Sequence, residues 1–152
     1  PMVTLYDVPP EELIEELADR LADRLETPEW VEYTKTSHDR ELPPQQDDFW
    51  ERRGASLLRK VAIEGPIGVE RLSTGYGGTK GGSNRYAVAP AKQVDGSTKI
   101  IRELLTQLED DGLIQTAQGE GRRTTAEGDA FLDEVAKDVF DDLDNPELER
   151  YA

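Results

Sequence analysis

The most regular hydrophobic pattern in the chain runs through Asp48–Gly65. At about 100° per residue, its apolar side chains fall on one side of a helix. Asp47 or Asp48 is suited to cap the first turn, where an anionic oxygen meets free amide groups, and Gly65-Pro66 is suited to end the last turn. We therefore predict one central amphipathic helix whose apolar side is covered by the rest of the chain. That side consists of Trp50, Gly54, Leu57, Leu58, Val61 and, at its edge, Ala62.

The opposite side of this helix is polar and cationic. One interpretation is that the cations solvate the outer side of a core helix, which is the usual situation. The other is that they hold phosphate groups, since guanidinium and ammonium groups donate charge-assisted hydrogen bonds to phosphate oxygens. The residues concerned are Arg52, Arg53, Ser56, Arg59 and Lys60.

Two helices are predicted before the central one. The first begins at Pro9-Pro10, because proline is tolerated in a first turn, and its leucines recur every fourth residue over Leu13–Leu25. Thr27-Pro28 repeats the starting signal for a short helix that contains Trp30 and Val31. The polar segment Tyr33–Gln46 then follows as a connecting loop, and it contains the only histidine, which we interpret as a surface residue.

A short helix and a glycine-rich loop are predicted after the central helix. The helix covers Gly65–Leu72, with three apolar contacts at Ile67, Val69 and Leu72. The loop, Gly75–Gly82, contains Lys80 and is followed by Arg85. Its glycines allow backbone amides to approach phosphate closely, although the sequence lacks the pattern of a nucleotide-binding P-loop. A mobile surface loop and an ordered nucleic-acid contact both fit this pattern.

A second strongly amphipathic helix begins at the capping residue Ser97 and ends at Gly112. Ile101, Leu104, Leu105 and Leu108 are expected to point inward, while Lys99 and Arg102 are available outward. A β-hairpin is predicted next, with arms Leu113–Thr116 and Arg122–Thr125 joined by a glycine-containing turn. Its return arm carries two guanidinium groups, those of Arg122 and Arg123.

Thr125 is suited to cap a last helix, whose apolar positions include Phe131, Val135 and Phe140. After Asn145-Pro146 we expect a frayed acidic tail over 145–152. The order of helix, turn, helix, hairpin and helix predicts a mainly α fold: a winged helix-turn-helix-like helical domain built around the central helix, with one small β-hairpin. At 152 residues the chain is expected to form a single domain.

The charge is strongly acidic overall but unevenly distributed. The formal net charge is −15. Residues 1–48 contain 4 basic and 14 acidic side chains, residues 49–125 contain 12 and 9, and residues 126–152 contain 2 and 10. The middle of the chain therefore holds two-thirds of the cations, which predicts a phosphate-facing middle between solvated acidic flanks.

The acidic flanks have two possible explanations. At very high salt the Debye length falls to about 3 Å at 1 M, so repulsion between carboxylates is screened. The alternative is a disordered acidic segment that binds a partner. The acidic residues are spread along helical patterns, and we therefore favour adaptation to high salt.

Several kinds of chemistry lack a sequence signature. There is no cysteine, hence no disulfide, thiolate metal site or cysteine nucleophile, and no apolar run of membrane-spanning length. We expect no metal, no cofactor, no membrane association and no enzymatic activity, and a soluble intracellular protein. Pro1 precedes Met2 and is expected to be an addition to the natural start.

Five segments, in order and spacing, resemble one family: the archaeal and eukaryotic small-subunit ribosomal protein nineteen, of the "e" type. The resemblance extends from Val3–Val8 to Thr125–Gly128 and is clearest in the letters themselves. They are P-E-W-V at Pro28–Val31, E-L-P-P at Glu41–Pro44, D-D-F-W-E-R-R-G-A-S at Asp47–Ser56, Y-G-G at Tyr76–Gly78 and S-T-K-I-I-R-E-L-L-T-Q-L-E at Ser97–Glu109.

The resemblance implies a ribosomal role. It implies binding to small-subunit ribosomal RNA and its precursor in the head of the subunit, next to other ribosomal proteins, and a part in late maturation of the precursor RNA. Arg53, Arg59 and Arg102 match family arginines implicated in RNA binding and assembly, and Trp30 matches a tryptophan that we interpret as structural. We expect a cytoplasmic protein, bound to the ribosome and monomeric away from it. The RNA-binding residues predicted in all are Arg52, Arg53, Ser56, Arg59, Lys60, Lys80, Arg85, Lys99, Arg102, Arg122 and Arg123.

Two other classes of function were weighed against this one. A winged-helix DNA-binding transcription regulator would place the Ser97–Glu109 helix in a major groove, but Glu103 and Glu109 make that helix a poor surface for DNA. An enzyme is disfavoured because paired acids such as Asp110-Asp111 stand at helix ends, where turns explain them.

Overall fold

A computed structural model describes residues 3–33, 48–80, 92–94 and 96–151. Five α-helices and two pairs of short antiparallel strands make up the described chain, with short 3-10 helices at Leu5–Asp7 and Glu29–Tyr33. In chain order the elements are α1 (Pro10–Leu21), α2 (Phe49–Glu64), α3 (Val69–Gly75), β1 (Gly78–Lys80), β2 (Lys92–Val94), α4 (Thr98–Asp110), β3 (Ile114–Ala117), β4 (Gly121–Thr124) and α5 (Ala126–Tyr151).

The fold is organised around α2, as the hydrophobic pattern predicts. This helix packs against α1 on one side and against α4 and β4 on others. Its inner side chains Trp50, Leu57, Leu58 and Val61 are each at most 1% exposed. They meet leucines and isoleucines of α1 and α4 that are also fully buried, so one continuous core fills the domain. The mainly α, winged-helix-like prediction is confirmed.

The two ends of α2 differ from each other in how they are fixed. Asp48 occupies the N-cap position, but its side chain makes no capping hydrogen bond and instead lies 3.8 Å from the Arg52 guanidinium. The predicted carboxylate cap by Asp48 is therefore wrong, and Asp47 lies outside the described residues. Gly65 ends the helix as predicted: a Cβ there would lie 2.3 Å from the carbonyl oxygen of Val61, so only glycine fits.

The first helix is shorter than the leucine pattern suggests. α1 begins at Pro10 and ends at Leu21, four residues before the predicted end. Leu25 is nevertheless 7% exposed, because the turn that follows α1 brings it back into the core. Trp30 lies in the short Glu29–Tyr33 helix, as predicted, but that helix is of the 3-10 type. Of the predicted loop Tyr33–Gln46, residues 34–46, which include His38, lie outside the described residues.

One side chain of α4 connects three parts of the domain. The Gln107 amide oxygen accepts from the Trp50 indole Nε1 at 3.2 Å and from the Glu26 backbone N–H at 3.0 Å. Its amide nitrogen donates to the Glu26 carbonyl at 2.8 Å. These bonds satisfy the buried indole and fix the turn after α1 against α2 and α4.

The segment after α2 begins as an extended strand and not as a helix. The backbone of Ile67 exchanges two hydrogen bonds with Arg122, at 2.9 and 2.8 Å, and so adds a bridge to the edge of the hairpin. Because the backbone N–H and carbonyl of Ile67 are both hydrogen-bonded to Arg122, the helix begins only at Val69, with Gly68 at its N-cap. The predicted start at Gly65 is wrong for this reason.

The predicted wing is present, and a second pair of strands accompanies it. β3 and β4 pair in antiparallel register, with Ile114 opposite Thr124 and Gln115 opposite Arg123. In addition, β1 pairs with β2, so that Gly78 lies opposite Val94. Part of the predicted glycine-rich loop Gly75–Gly82 is therefore a strand.

Both predicted caps on either side of the wing are confirmed. The Ser97 hydroxyl accepts from the Ile100 N–H at 3.4 Å at the start of α4. The Thr125 hydroxyl accepts from the Gly128 N–H at 3.0 Å and donates to the Gly112 carbonyl at 2.6 Å. α5 continues beyond Pro146 to Tyr151. The frayed tail over 145–152 stays a prediction.

We predict that Gly128→Ala strongly destabilises the domain. A Cβ at this position would lie 2.0 Å from the carbonyl oxygen of Leu113, so α5 must move away from the base of the wing. We expect the free energy of unfolding to fall by about 1–3 kcal/mol, the usual cost of an overpacked site. Urea unfolding in molar KCl would measure it.

Gly68→Ala is the matched control, because a Cβ there meets no atom within 4 Å and the backbone φ is −89°. Its effect should be below about 1 kcal/mol, since it changes only a helix cap. Equal losses for the two variants would contradict the close packing of α5 on Leu113.

Candidate nucleic-acid interface

The outer side of α2 carries a cluster of cations that is organised around an aromatic ring from the end of α3. The Arg53 guanidinium carbon lies 4.4 Å from the centre of the Tyr76 ring, and the Lys60 ammonium lies 4.3 Å from it. The Tyr76 hydroxyl is 2.6 Å from the Ser56 hydroxyl. We call this surface the basic face, and it consists of Arg53, Ser56, Arg59, Lys60 and Tyr76.

Helical spacing explains why three of these side chains reach the same ring. Positions 53, 56 and 60 are separated by three and four residues, so their side chains lie above one another on one side of α2. Arg53 also lies over the ring of Phe49, one turn earlier, at 5.1 Å. Each cation–π contact contributes about 0.5–1 kcal/mol at a partly exposed site. The charges are thus held in place before any ligand arrives.

Tyr76 is itself partly buried under this cluster. Burial raises the pKa of Tyr76, and the Ser56 hydrogen bond together with the positive charges of Arg53 and Arg59 opposes that rise. The phenol is therefore neutral at physiological pH and acts as a hydrogen-bonding group. The influence of Arg59 also shows that its charge lies near the same hydroxyl.

Two guanidinium groups have a buried donor without a hydrogen-bond partner. In the described part of the chain, these are Nε of Arg59 on α2 and Nε of Arg122 on β4. A buried donor that is left unpaired costs about 1–3 kcal/mol, and more when the group is charged. Each of these atoms is shielded from solvent, so an anionic oxygen could pair with it only if the side chain moved outward.

Other predicted residues occupy different surroundings. Arg52 is paired with Asp48 in a pair that is about half exposed, and such pairs contribute little to stability. The Lys99 ammonium lies 4.3 Å from the centre of the Trp30 ring. That ring meets the ring of Trp50 edge to face, with centroids 5.9 Å apart, which supports the structural interpretation of Trp30.

The remaining predicted contacts are spread over the wing, α4 and the strands. Arg122 is half-buried and Arg123 is exposed, since successive residues of a strand point to opposite faces. Arg102 is exposed on α4. Lys80 has its backbone in β1, and Arg85 lies outside the described residues.

Tyr76 is the residue that the site prediction omitted. Its only sequence signal was the Y-G-G motif at Tyr76–Gly78, which carries no helical or strand periodicity. Arg71 was also omitted, and it is exposed on α3 close to Lys60 in the wall of one cavity.

Among the described residues, no helix has both the length and the apolar composition that a membrane span requires. Nor does that part of the chain contain three histidine, cysteine, aspartate or glutamate side chains placed to hold one metal ion.

These features define a winged-helix-type helical domain with a preorganised cationic surface, the kind of surface that nucleic-acid-binding domains present. Comparison with known proteins gives the family. The model of the family "Ribosomal protein S19e" matches residues 4–142, and the chain belongs to this family.

Relatives match over most or all of their length. The chain is 57% identical to the small ribosomal subunit protein eS19 of the halophilic archaeon Haloarcula marismortui, over 99% of this chain and 100% of that protein. It is 40% identical to eS19 of Thermoplasma volcanium, over 78% and 76%, and 34% identical to eS19A of Saccharomyces cerevisiae, over 78% and 80%. The family prediction is confirmed, and the first of these relatives supports a halophilic origin.

We predict that Tyr76 ionises later than an ordinary tyrosine. Its raised pKa means that the neutral phenol stabilises the fold fully below the unfolded value of about 10, and that this contribution is lost as the pH rises through the folded value. Ultraviolet titration of tyrosinate should therefore lose its late component in Tyr76→Phe.

Tyr33→Phe serves as the control, because Tyr33 is 82% exposed and its removal should leave the late component of Tyr76 in place. If Tyr76→Phe removed amplitude near pH 10 instead, the phenol would not be buried as described. Urea unfolding should also show a smaller loss of stability above about pH 10 in Tyr76→Phe than in the unsubstituted protein.

Proposed function

We propose that this protein is a structural component of the small ribosomal subunit and binds small-subunit ribosomal RNA through the basic face. Family membership and the names of the relatives support the first part, since each is a small ribosomal subunit protein. Ribosomal proteins of this kind are generally not enzymes. The RNA-binding surface and its residues are our inference.

The observation that carries the proposal is the convergence of Arg53, Arg59 and Lys60 around Tyr76 in a chain whose net charge is −15. Like charges repel and are not gathered without a reason in an acidic protein. RNA supplies regularly spaced anionic oxygens, and guanidinium groups bind them through two hydrogen bonds at once.

At high salt, a few positioned cations attract RNA more effectively than a diffuse net positive charge does. At molar salt the Debye length is about 3 Å, so a diffuse positive patch would attract RNA only weakly. Direct contacts at hydrogen-bond distance are screened much less. A few cations that are held rigidly by Tyr76 therefore suit a protein of a halophile better than many mobile ones.

Further parts of the proposal follow from the family resemblance. The protein would act at the ribosome in the cytoplasm, contact neighbouring ribosomal proteins in the head of the subunit, and take part in maturation of the subunit and its precursor RNA. Away from the ribosome it would be a monomer. Arg102, Lys99, Arg122 and Arg123 would add contacts outside the basic face.

The alternative, a DNA-binding transcription regulator, gains no support from α4. Lys99 is placed over Trp30, and Gln107 is occupied with Trp50 and Glu26. Few groups on this helix are thus available to read base edges in a major groove.

We expect that Arg53→Glu and Arg59→Glu, singly and together, leave the protein folded but block its incorporation into small subunits. Both side chains are partly buried on the outer side of α2 and neither belongs to the hydrophobic core, while a carboxylate would repel phosphate. Sedimentation of tagged variants from cells of the native host, lysed in their own salt, measures incorporation. Circular dichroism of the purified variants checks that they remain folded.

Lys137→Glu is the matched control, because it makes the same change of charge at an exposed position of α5. It should sediment with small subunits as the unsubstituted protein does. Arg59→Lys should be incorporated to an intermediate extent, since it keeps the charge but loses the planar guanidinium group that forms two hydrogen bonds at once. Normal incorporation of the folded double variant would refute the basic face as the RNA-binding surface.

A further inference from the structure

A cavity of about 300 Å³ lies beside the basic face, between the last turns of α2 and α3. Its floor lies against Ile67 and Leu72, which belong to the core and are only 2% and 1% exposed, so the polar rim supplies nearly all of the contact surface. Its rim is polar and carries two cations, Lys60 and Arg71, and one carboxylate, Glu64. Nothing in the RNA-binding prediction used the cavity.

Lys60 joins this cavity to the basic face. Its ammonium lies over the Tyr76 ring and also lines the cavity. A Cβ at position 75 would lie 2.7 Å from the ammonium nitrogen, so the absence of a side chain at Gly75 leaves room for the end of the Lys60 side chain. An RNA strand bound to Arg53 and Arg59 would thus have one cation of the cavity within its contact surface.

The lining fits a nucleotide better than a simple anion. A nucleotide combines an anionic phosphate with hydrogen-bonding base edges, and the cavity offers two cations for the first and a carboxylate for the second. Glu64 would repel a free phosphate, whereas a carboxylate accepts a hydrogen bond from the exocyclic amino group of a base. The volume is at the lower end of ligand pockets, about 300–1,000 Å³, which suits one small group and not a folded segment.

We propose that the cavity binds one unpaired nucleotide of the RNA, with its phosphate at Lys60 and Arg71 and the amino group of its base on Glu64. Unpaired bases are the usual targets of sequence-specific RNA recognition. Glu64 thereby selects bases that have an exocyclic amino group over uracil. The inference rests on the proposed RNA-binding function and adds a specificity site to it.

Nuclear magnetic resonance of the full isotope-labelled chain, titrated with cytidine monophosphate, uridine monophosphate or inorganic phosphate, tests the cavity directly. Cytidine monophosphate should shift the amide signals of residues 64–75 and bind roughly three- to tenfold more tightly than uridine monophosphate, as expected for one hydrogen bond. Glu64→Ala should abolish that difference without weakening uridine monophosphate. Equal binding of all three ligands, or no shift in residues 64–75, would overturn the inference.

The outcome can be separated from that of the proposed function. If Arg53→Glu and Arg59→Glu block incorporation but the cavity does not discriminate between the nucleotides, the function stands and this inference fails. If the double variant is incorporated normally while the cavity still prefers cytidine monophosphate, the basic face fails and the cavity remains a nucleotide site.

A second measurement locates the nucleotide in the assembled subunit. Because the chain has no cysteine, Thr74→Cys gives a single attachment point at the cavity for a tethered iron chelate that generates hydroxyl radicals. Cleavage should be strongest around one unpaired nucleotide with an amino-bearing base, and Lys137→Cys should not cleave there. Cleavage centred on paired RNA, or only on a neighbouring protein, would contradict the inference.

Discussion

The rest of the structure depends on the burial of the inner side of α2. Trp50, Leu57, Leu58 and Val61 lose nearly all contact with water between α1, α4 and the wing. Each buried side chain of this size stabilises the fold by about 1.5–3 kcal/mol before the entropy of ordering it is subtracted. Because its inner side is buried in this way, α2 cannot rotate about its axis. The side chains on its outer side therefore point in a fixed direction.

The outer side of α2 uses that fixed orientation. Tyr76 lies at the end of α3 and packs against α2. Its ring contacts the cations of Arg53 and Lys60, and its hydroxyl is hydrogen-bonded to the hydroxyl of Ser56. Long cationic side chains lose considerable entropy when they are immobilised. In this domain part of that side-chain entropy is already lost during folding, so a ligand binds to charges that are in position beforehand.

The wing is joined to the segment after α2 by the backbone of Ile67, and the Thr125 hydroxyl at its base connects the turn after α4 to the start of α5. Ile67 shares two hydrogen bonds with Arg122, and this places an arginine with a buried, unpaired Nε beside the segment that begins α3. Gly128 lets α5 approach the base of the wing. Helices, wing and cavity therefore belong to one packed unit, and the same contacts that stabilise it position its cations.

The sequence by itself determined the central helix, the buried sides of α2 and α4, the caps at Ser97 and Thr125, and the family. Each of these rests on local periodicity, on a cap within three residues or on the order of motifs. Only the tertiary structure decided what lies far apart in the chain: the start of α3 is set by Arg122, and the basic face is set by Tyr76, twenty residues after Ser56. No periodic pattern encodes such pairings, because they arise from the packing of separate elements.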